Sequence, residues 1–253
     1  MKFFIKKNYI ILSLLVLLLI ESNVYARENK TQYTKGNISN YFSGIISINN
    51  NYDNEAFKYL KKVKSLKKSH SRFNIEFVKS LVSIEKFDQA FSFSKSVWTE
   101  DEFIYEIDLL LGLDYFIKKD YINAEKHFQR LNKISRNNFF FDDFIGNVLM
   151  AWNKASQGDI ENSFQFIEKT SRPYRHIAKI QKIFLQCYFD DDQTKKSFSE
   201  LINDENYNFA RYNFFLANYL LFRDKIEEAK KIIKNSRREY NSNLLIKQAE
   251  IFF

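Results

Sequence analysis

Three histidines, one cysteine and a run of three aspartates carry the side chains in this chain best suited to metal binding or nucleophilic chemistry. His70, His127 and His176 stand too far apart to form a ligand pair, and none lies in an H-E-x-x-H frame. His127, beside Phe128, reads as a surface or boundary residue. Cys187 has no second cysteine, which excludes an intramolecular disulfide and a cysteine metal cluster. Its apolar surroundings, Ile183-Phe184-Leu185-Gln186-Cys187-Tyr188-Phe189, predict a buried structural thiol. Asp190-Asp191-Asp192 lacks the glycine and spaced glutamate of a calcium loop and reads as a solvated turn between helices. Five glycines leave no Gly-rich phosphate loop, and no Gly-x-Ser-x-Gly elbow occurs. The expectation is a protein without catalytic residues, metal or cofactor, and not an enzyme.

The elements that would position any site are helical. One proline and five glycines in 253 residues are too few for the turns of strand-rich folds. No stretch alternates with period two, so strands are not expected. Hydrophobic residues make up 45%, with 27 Phe and 15 Tyr, ample material for a core. The formal net charge is +8, of which Lys2, Lys6, Lys7 and Glu21 in the first twenty-six residues supply a net two. The remaining basic residues are interspersed with Asp and Glu, the pattern of a solvated basic surface more than of a patch.

Those first twenty-six residues have the three parts of a secretory signal peptide: Lys2, Lys6 and Lys7, an uncharged run from Tyr9 to Ile20, then Val24-Tyr25-Ala26. The apolar run is shorter than the roughly 20 residues of a membrane span. Cleavage is expected after Ala26, giving an exported, periplasmic protein with no transmembrane span in the mature chain. Peripheral association with the envelope stays open.

Small residues recur at a near-constant step within apolar helical stretches. Ala56, Ala90 and Ala124 are 34 apart, followed by Ser163 after 39, Ser197 after 34 and Ala229 after 32. Twelve residues before each stand Gly44, Val78, Gly112, Ala151, Leu185 and Ala217, mostly the small residues that a close helix crossing needs. Four residues after each come Leu60, Ser94, Phe128, Ile167, Leu201 and Ile233, extending an apolar stripe. Thr99 and Glu102 read as a capping box ahead of a helix Phe103–Ile117. Pro173 is expected to stop the second helix of the fourth unit, and Gly158-Asp159 to mark the turn inside it.

The third unit, Leu111-Gly112-x-x-Tyr115 followed by Ala124-x-x-x-Phe128, resembles the tetratricopeptide repeat without its opening Trp. The resemblance covers about residues 37–240 and implies an all-α, right-handed superhelical solenoid of about six antiparallel helix hairpins. The expected organisation is a signal peptide (1–26), a flexible linker (27–36), the repeat array (37–240) and the start of a further helix (241–253). That last helix ends apolar, so either the chain is incomplete or the helix docks on something else. The extra residues of the fourth unit fall near the aromatic stretch Phe139–Phe144, either a longer loop folded on the core or a partner anchor.

The resemblance also implies a concave groove lined by the first helices. Carried over by position, it takes in Tyr41, Arg72, Lys79, Trp152, Lys179, Lys182, Arg211 and Asn218, with Ile45, Ile75, Leu109, Leu113, Val148, Gln186 and Phe214 as further inward-facing positions. A basic groove with Tyr41 and Trp152 suits an extended peptide bearing carboxylates; several of these residues can equally be packing between hairpins. Three functions remain open: an exported scaffold for a protein or peptide partner, a basic aromatic groove for cell-wall glycan or nucleic acid, and an accessory region of an enzyme. Nucleic acid is not expected to meet an exported protein.

Overall fold

The computed structural model of the protein describes residues 33–135, 143–170, 172–204 and 209–252. The leader 1–26, most of the linker 27–36 and residues 139–142 of the aromatic stretch lie outside the described residues. Thirteen α-helices follow one another among the described residues: α1 (Lys35–Asn49), α2 (Asp53–Lys61), α3 (Ser71–Ser83), α4 (Phe87–Val97), α5 (Tyr105–Ile117), α6 (Tyr121–Ser135), α7 (Phe144–Ser156), α8 (Ile160–Glu168), α9 (Arg175–Tyr188), α10 (Thr194–Ile202), α11 (Ala210–Phe222), α12 (Ile226–Glu239) and α13 (Leu244–Phe252). Short 3-10 turns cover Lys64–Lys68 and Arg172–Tyr174. No strand occurs among the described residues, and the all-α expectation holds.

The chain divides into two compact units, one ending at Lys86 and holding α1–α3, the other beginning at Phe87 and holding α4–α13. Within the second unit each helix packs on its chain neighbours; α7 also reaches α9, and α11 reaches α13.

A single turn geometry recurs six times. Asn51, Glu85, Lys119, Gly158, Asp190 and Asp224 all have φ between 57° and 78°. The amide after each one donates to the carbonyl five residues back, as in Tyr52 to Ser47 (2.8 Å) and Lys225 to Leu220 (2.8 Å). This is the glycine-type helix stop that satisfies orphan carbonyls. Five of the six are built on non-glycine residues, a conformation that side chains disfavour. The same turn sets the next helix: Asp120 and Asp159 cap it by accepting from the amides of Asn123 (3.3 Å) and Asn162 (3.2 Å).

Seven residues before the turn residue lies the crossing point of a helix pair. A Cβ on Gly44 would sit 2.6 Å from Leu60 Cδ2, and one on Gly112 2.5 Å from Phe128 Cε1. These large partners fill the space that glycine leaves. The pairs Ala56/Leu60, Ala124/Phe128, Ser163/Ile167 and Ala229/Ile233 are all buried.

The fifth unit departs from the sequence expectation. Its fully buried small anchor is Thr194, not Ser197, and Phe198 follows as the large one; Ser197 is half-exposed. Correspondingly Ile183, and not Leu185, stands seven residues before Asp190, while Leu185 joins the cluster of Ala151, Ala155, Ile167 and Ala178. The physical cause is the first turn of α10. The anchor amides of α2, α6, α8 and α12 donate four residues back, but Thr194 donates three back, to Asp191 (3.0 Å). That 3-10 turn is tighter and brings the anchor one residue earlier. Asp191 also accepts from the Gln193 amide (2.8 Å), and Asp190 pairs with Arg223, so the aspartate run is a turn.

Eleven residues before each turn residue the chain carries Asn40, Asn74, Asp108, Lys179 in the fifth unit, Asn147 in the fourth and Asn213 in the sixth. Asn74, Asp108, Asn147 and Asn213 are each at most 7% exposed. They tie a first helix to what precedes it. Asn74 donates to the Lys67 carbonyl (3.0 Å), and Asn147 accepts from Asn132 (3.0 Å). Asp108 Oδ1 accepts from Trp98 Nε1 (3.0 Å), Arg130 Nε (2.8 Å) and His127 Nδ1 (2.9 Å).

His127 is therefore buried, not a surface residue, and it stacks on Tyr115 (5.6 Å). The expected capping box is absent as well: the helix begins at Tyr105, and Ile104 before it makes no side-chain cap. The carbonyls of Thr99, Glu100 and Glu102 instead accept from the Arg130 guanidinium (3.3, 2.7 and 2.7 Å). A charged fork that reaches three carbonyls outweighs a local hydroxyl cap and holds residues 99–102 off the helix.

Pro173 lies in the 3-10 turn that follows α8. Phe144, at the edge of the aromatic stretch, opens α7 and stacks on Tyr174 (5.2 Å). α13 packs Ile246 and Ala249 into the core of α11 and α12 and leaves Leu244, Ile251 and Phe252 exposed.

Gly112→Ala is expected to destabilise the chain by about 1–3 kcal/mol through overpacking against Phe128. Lys119→Gly is expected to raise the unfolding midpoint by about 2 °C, because relief of the left-handed backbone outweighs the added chain entropy. Arg130→Ala leaves the Asp108 charge buried and is expected to cost about 3 kcal/mol. Adding Asp108→Asn, the residue of the sister repeats, recovers part of that loss, a coupling that a double-mutant cycle in urea measures.

Candidate functional site

Two cavities frame the residues that the sequence singles out. The larger, about 410 Å³, opens between α9 and α10 in the second unit. Lys179, Lys182 and Gln186 line it from α9, and Lys196, Ser197 and Glu200 from α10. Ile183 and Leu201, both buried, make its floor. Eight residues before the turn residue, four sister repeats carry Phe77, Leu111, Met150 and Leu216, all buried, and the first carries the half-buried Ser43. The fifth unit thus lacks the apolar plug, and the space that it would fill is open and basic.

Each lysine at this cavity has a counter-ion. Lys179 meets Asp204 (3.2 Å), Lys182 meets Glu168 (3.2 Å) and Lys196 meets Glu200 (4.0 Å). These pairs are half-exposed and worth little, about 0–1 kcal/mol each, so the ammonium groups can turn to another anion at small cost. Gln186 is 8% exposed; its amide nitrogen reaches toward Asp191 (3.5 Å), and its Oε1 is buried with no donor.

The smaller cavity, about 200 Å³ in the first unit, is apolar and is lined by Tyr33, Ile38, Tyr41, Phe42, Leu66 and His70. Tyr41 packs edge-on to His70 (5.0 Å). Its phenol is pushed up from the usual tyrosine range, by burial first; nearby Arg72 opposes the rise and Glu76 adds to it. Arg72 (2.6 Å) and Lys79 (4.0 Å) both pair with the buried Glu76 on their own helix.

The structure therefore brings Lys179, Lys182 and Gln186 to one cavity, and Arg72 and Lys79 to one carboxylate. It places the other expected residues in local roles. Trp152 does not line the cavity: its indole donates to Gln181 (2.9 Å) and meets Tyr188 edge-on (5.9 Å). The Arg211 guanidinium covers Phe209 (4.8 Å) and Tyr212 (5.3 Å). Asn218 donates to the Phe214 carbonyl of its own helix (2.8 Å). Lys196, Ser197 and Glu200 were not foreseen. The signal for them is Lys182 at a position that is apolar in four sister repeats, visible only once the register of the fifth unit is right.

The Asp108–His127 pair has the donor set of a hydrolytic dyad. Its imidazole is 5% exposed, between Tyr115 and Trp98, so it is closed to a substrate. Burial pushes the Cys187 thiol up, with Arg223 opposing, which leaves it a poor nucleophile. Among the described residues no group of three or more His, Cys, Asp or Glu is placed to hold a metal ion. None of the described helices is long and apolar enough to cross a membrane.

No family model and no curated protein matches the sequence. In structure the chain is similar to a tetratricopeptide repeat protein from Parabacteroides merdae, with TM-score 0.58 and 14% identity, over 97% of this chain and 95% of that one. It is also similar to a chain of the APC/C hetero-tetramer Cut9-Hcn1, with TM-score 0.52 and 15% identity, over 93% of this chain and 45% of that one. With six turns of one geometry and small residues at the helix crossings, the chain has the fold of the tetratricopeptide-repeat proteins.

Proposed function

We propose that this chain is a non-catalytic scaffold for protein–protein interaction, exported and acting in the periplasm or cell envelope. The observation that carries the reading is the repetition itself. Six turns of one geometry join successive helices, and repeats of this kind present like surfaces to a partner. A structural neighbour is a chain of the hetero-tetramer Cut9-Hcn1, which supports a role in assembly. Export rests on the leader, with its basic start, apolar run and Val24-Tyr25-Ala26.

A polyanion-binding reading draws no support from the charge distribution. Arg72, Lys79, Lys179 and Lys182 are matched by carboxylates of this chain, and Arg211 lies over aromatic rings.

Two measurements check the proposal. Amino-terminal sequencing of protein recovered from the periplasm should begin at Arg27; recovery of the intact leader in the cytoplasm removes the export half. The protein from Arg27 onward, used as bait on envelope fractions, should retain a defined partner that a variant charge-reversed at Arg72, Lys79, Lys182 and Arg211 retains at least tenfold less. Equal recovery by both baits moves the partner surface away from these residues, and recovery of glycan or nucleic acid alone overturns the scaffold.

A further inference from the structure

We propose that the cavity between α9 and α10 is a subsite for the carboxylate side chain of an acidic peptide segment, with the adjoining peptide N–H bonded to Gln186. The inference rests on the scaffold reading and adds the chemistry of what one part of it takes.

The repeat pattern argues for it first. Four sister repeats put Phe77, Leu111, Met150 and Leu216 where the fifth puts Lys182, and their buried Asn or Asp positions become Lys179. Both replacements fall in one unit, face one cavity of about 410 Å³, and add two cations to it. Lys196 on α10 supplies a third, against one lining carboxylate, Glu200. Each of the three is held by an exposed ion pair that contributes little, so a ligand carboxylate can take the place of the present partner.

Size and polarity then narrow the ligand. Ile183 and Leu201 give the floor an apolar surface for the methylene groups of an aspartate or glutamate. Buried Gln186 Oε1 accepts no hydrogen bond from the described residues and calls for a donor. A carboxylate alone has no donor to give, but a peptide carries an amide N–H beside each acidic side chain. The existing partners Asp204 and Glu168 stand in for the ligand's carboxylates until they are displaced.

The test measures fluorescence anisotropy of a labelled, C-terminally amidated hexaglutamate with the full chain. Lys182→Leu installs the residue of the sister repeats, so it is expected to fold with an unchanged or higher unfolding midpoint while weakening hexaglutamate binding at least tenfold. Lys234→Leu, the same chemical change at an exposed position of α12, is expected to leave affinity within twofold. Hexaglutamine should not bind, and succinate should fail to displace the labelled peptide at matched carboxylate concentration. Absence of hexaglutamate binding, or equal weakening in both variants, overturns the subsite. Displacement by succinate overturns it in favour of a free dicarboxylate. A chain that captures a protein partner but ignores hexaglutamate loses only the subsite; one that binds hexaglutamate through Lys182 and captures no partner loses only the scaffold reading.

Discussion

A helix that ends inside a packed array leaves carbonyls with no amide to meet them, and the chain must turn within a few residues to bring the next helix back. This protein meets that constraint one way, six times: a residue of positive φ, followed by an amide that reaches five residues back. The turn fixes the phase of both flanking helices, so every functional position can be counted from it. Seven residues before it lies the close crossing, eight before it the apolar plug, and eleven before it the buried polar tie. Because five of the six turn residues carry a Cβ, those five turns are held against a local preference.

That phase was partly legible in the sequence. Gly44, Gly112, Ala151 and Ala217 stood out because close backbones admit few side chains, and the step of 34 followed from them. The fifth unit misled because Ser197 has the right size and the right distance from Ser163. The difference between a 3-10 and an α first turn at Thr194 moves the anchor without changing composition, so counting small residues cannot detect it. His127 was misplaced for another reason. Its partners Asp108 and Trp98 lie 19 and 29 residues upstream, beyond any local pattern. The polar tie did leave a trace: Asn40, Asn74, Asp108 and Asn147 keep the step of the small residues, but polar positions are seldom read as core.

Charge was the weaker guide to function. A net charge of +8 suggests an open basic surface, yet Arg72, Lys79, Lys179 and Lys182 are answered within a turn or across a helix pair by Glu76, Glu168 and Asp204. Buried Asp114 shows the same habit, holding Lys95 (2.9 Å) and Lys118 (2.6 Å). A cation so paired still contributes to binding, but only to a ligand that replaces its carboxylate. Such surfaces discriminate by geometry, because a diffuse polyanion gains little from charges already neutralised at contact distance.

In the proposed subsite, discrimination of that kind falls at an irregular repeat, the fifth. In a regular pair the plug residue is buried and contributes roughly 2 kcal/mol of apolar transfer. With Lys182 in its place that term is lost, and a cavity opens between α9 and α10. Neighbouring contacts compensate: Ile180, Ile183, Phe198 and Leu201 all join the core that extends through α11 and α12 to Ile246. One unit can then depart from the packing rule while its neighbours keep the fold, since each helix leans chiefly on those adjacent in the chain. On the proposed reading, the departure at Lys182 is set by binding more than by stability.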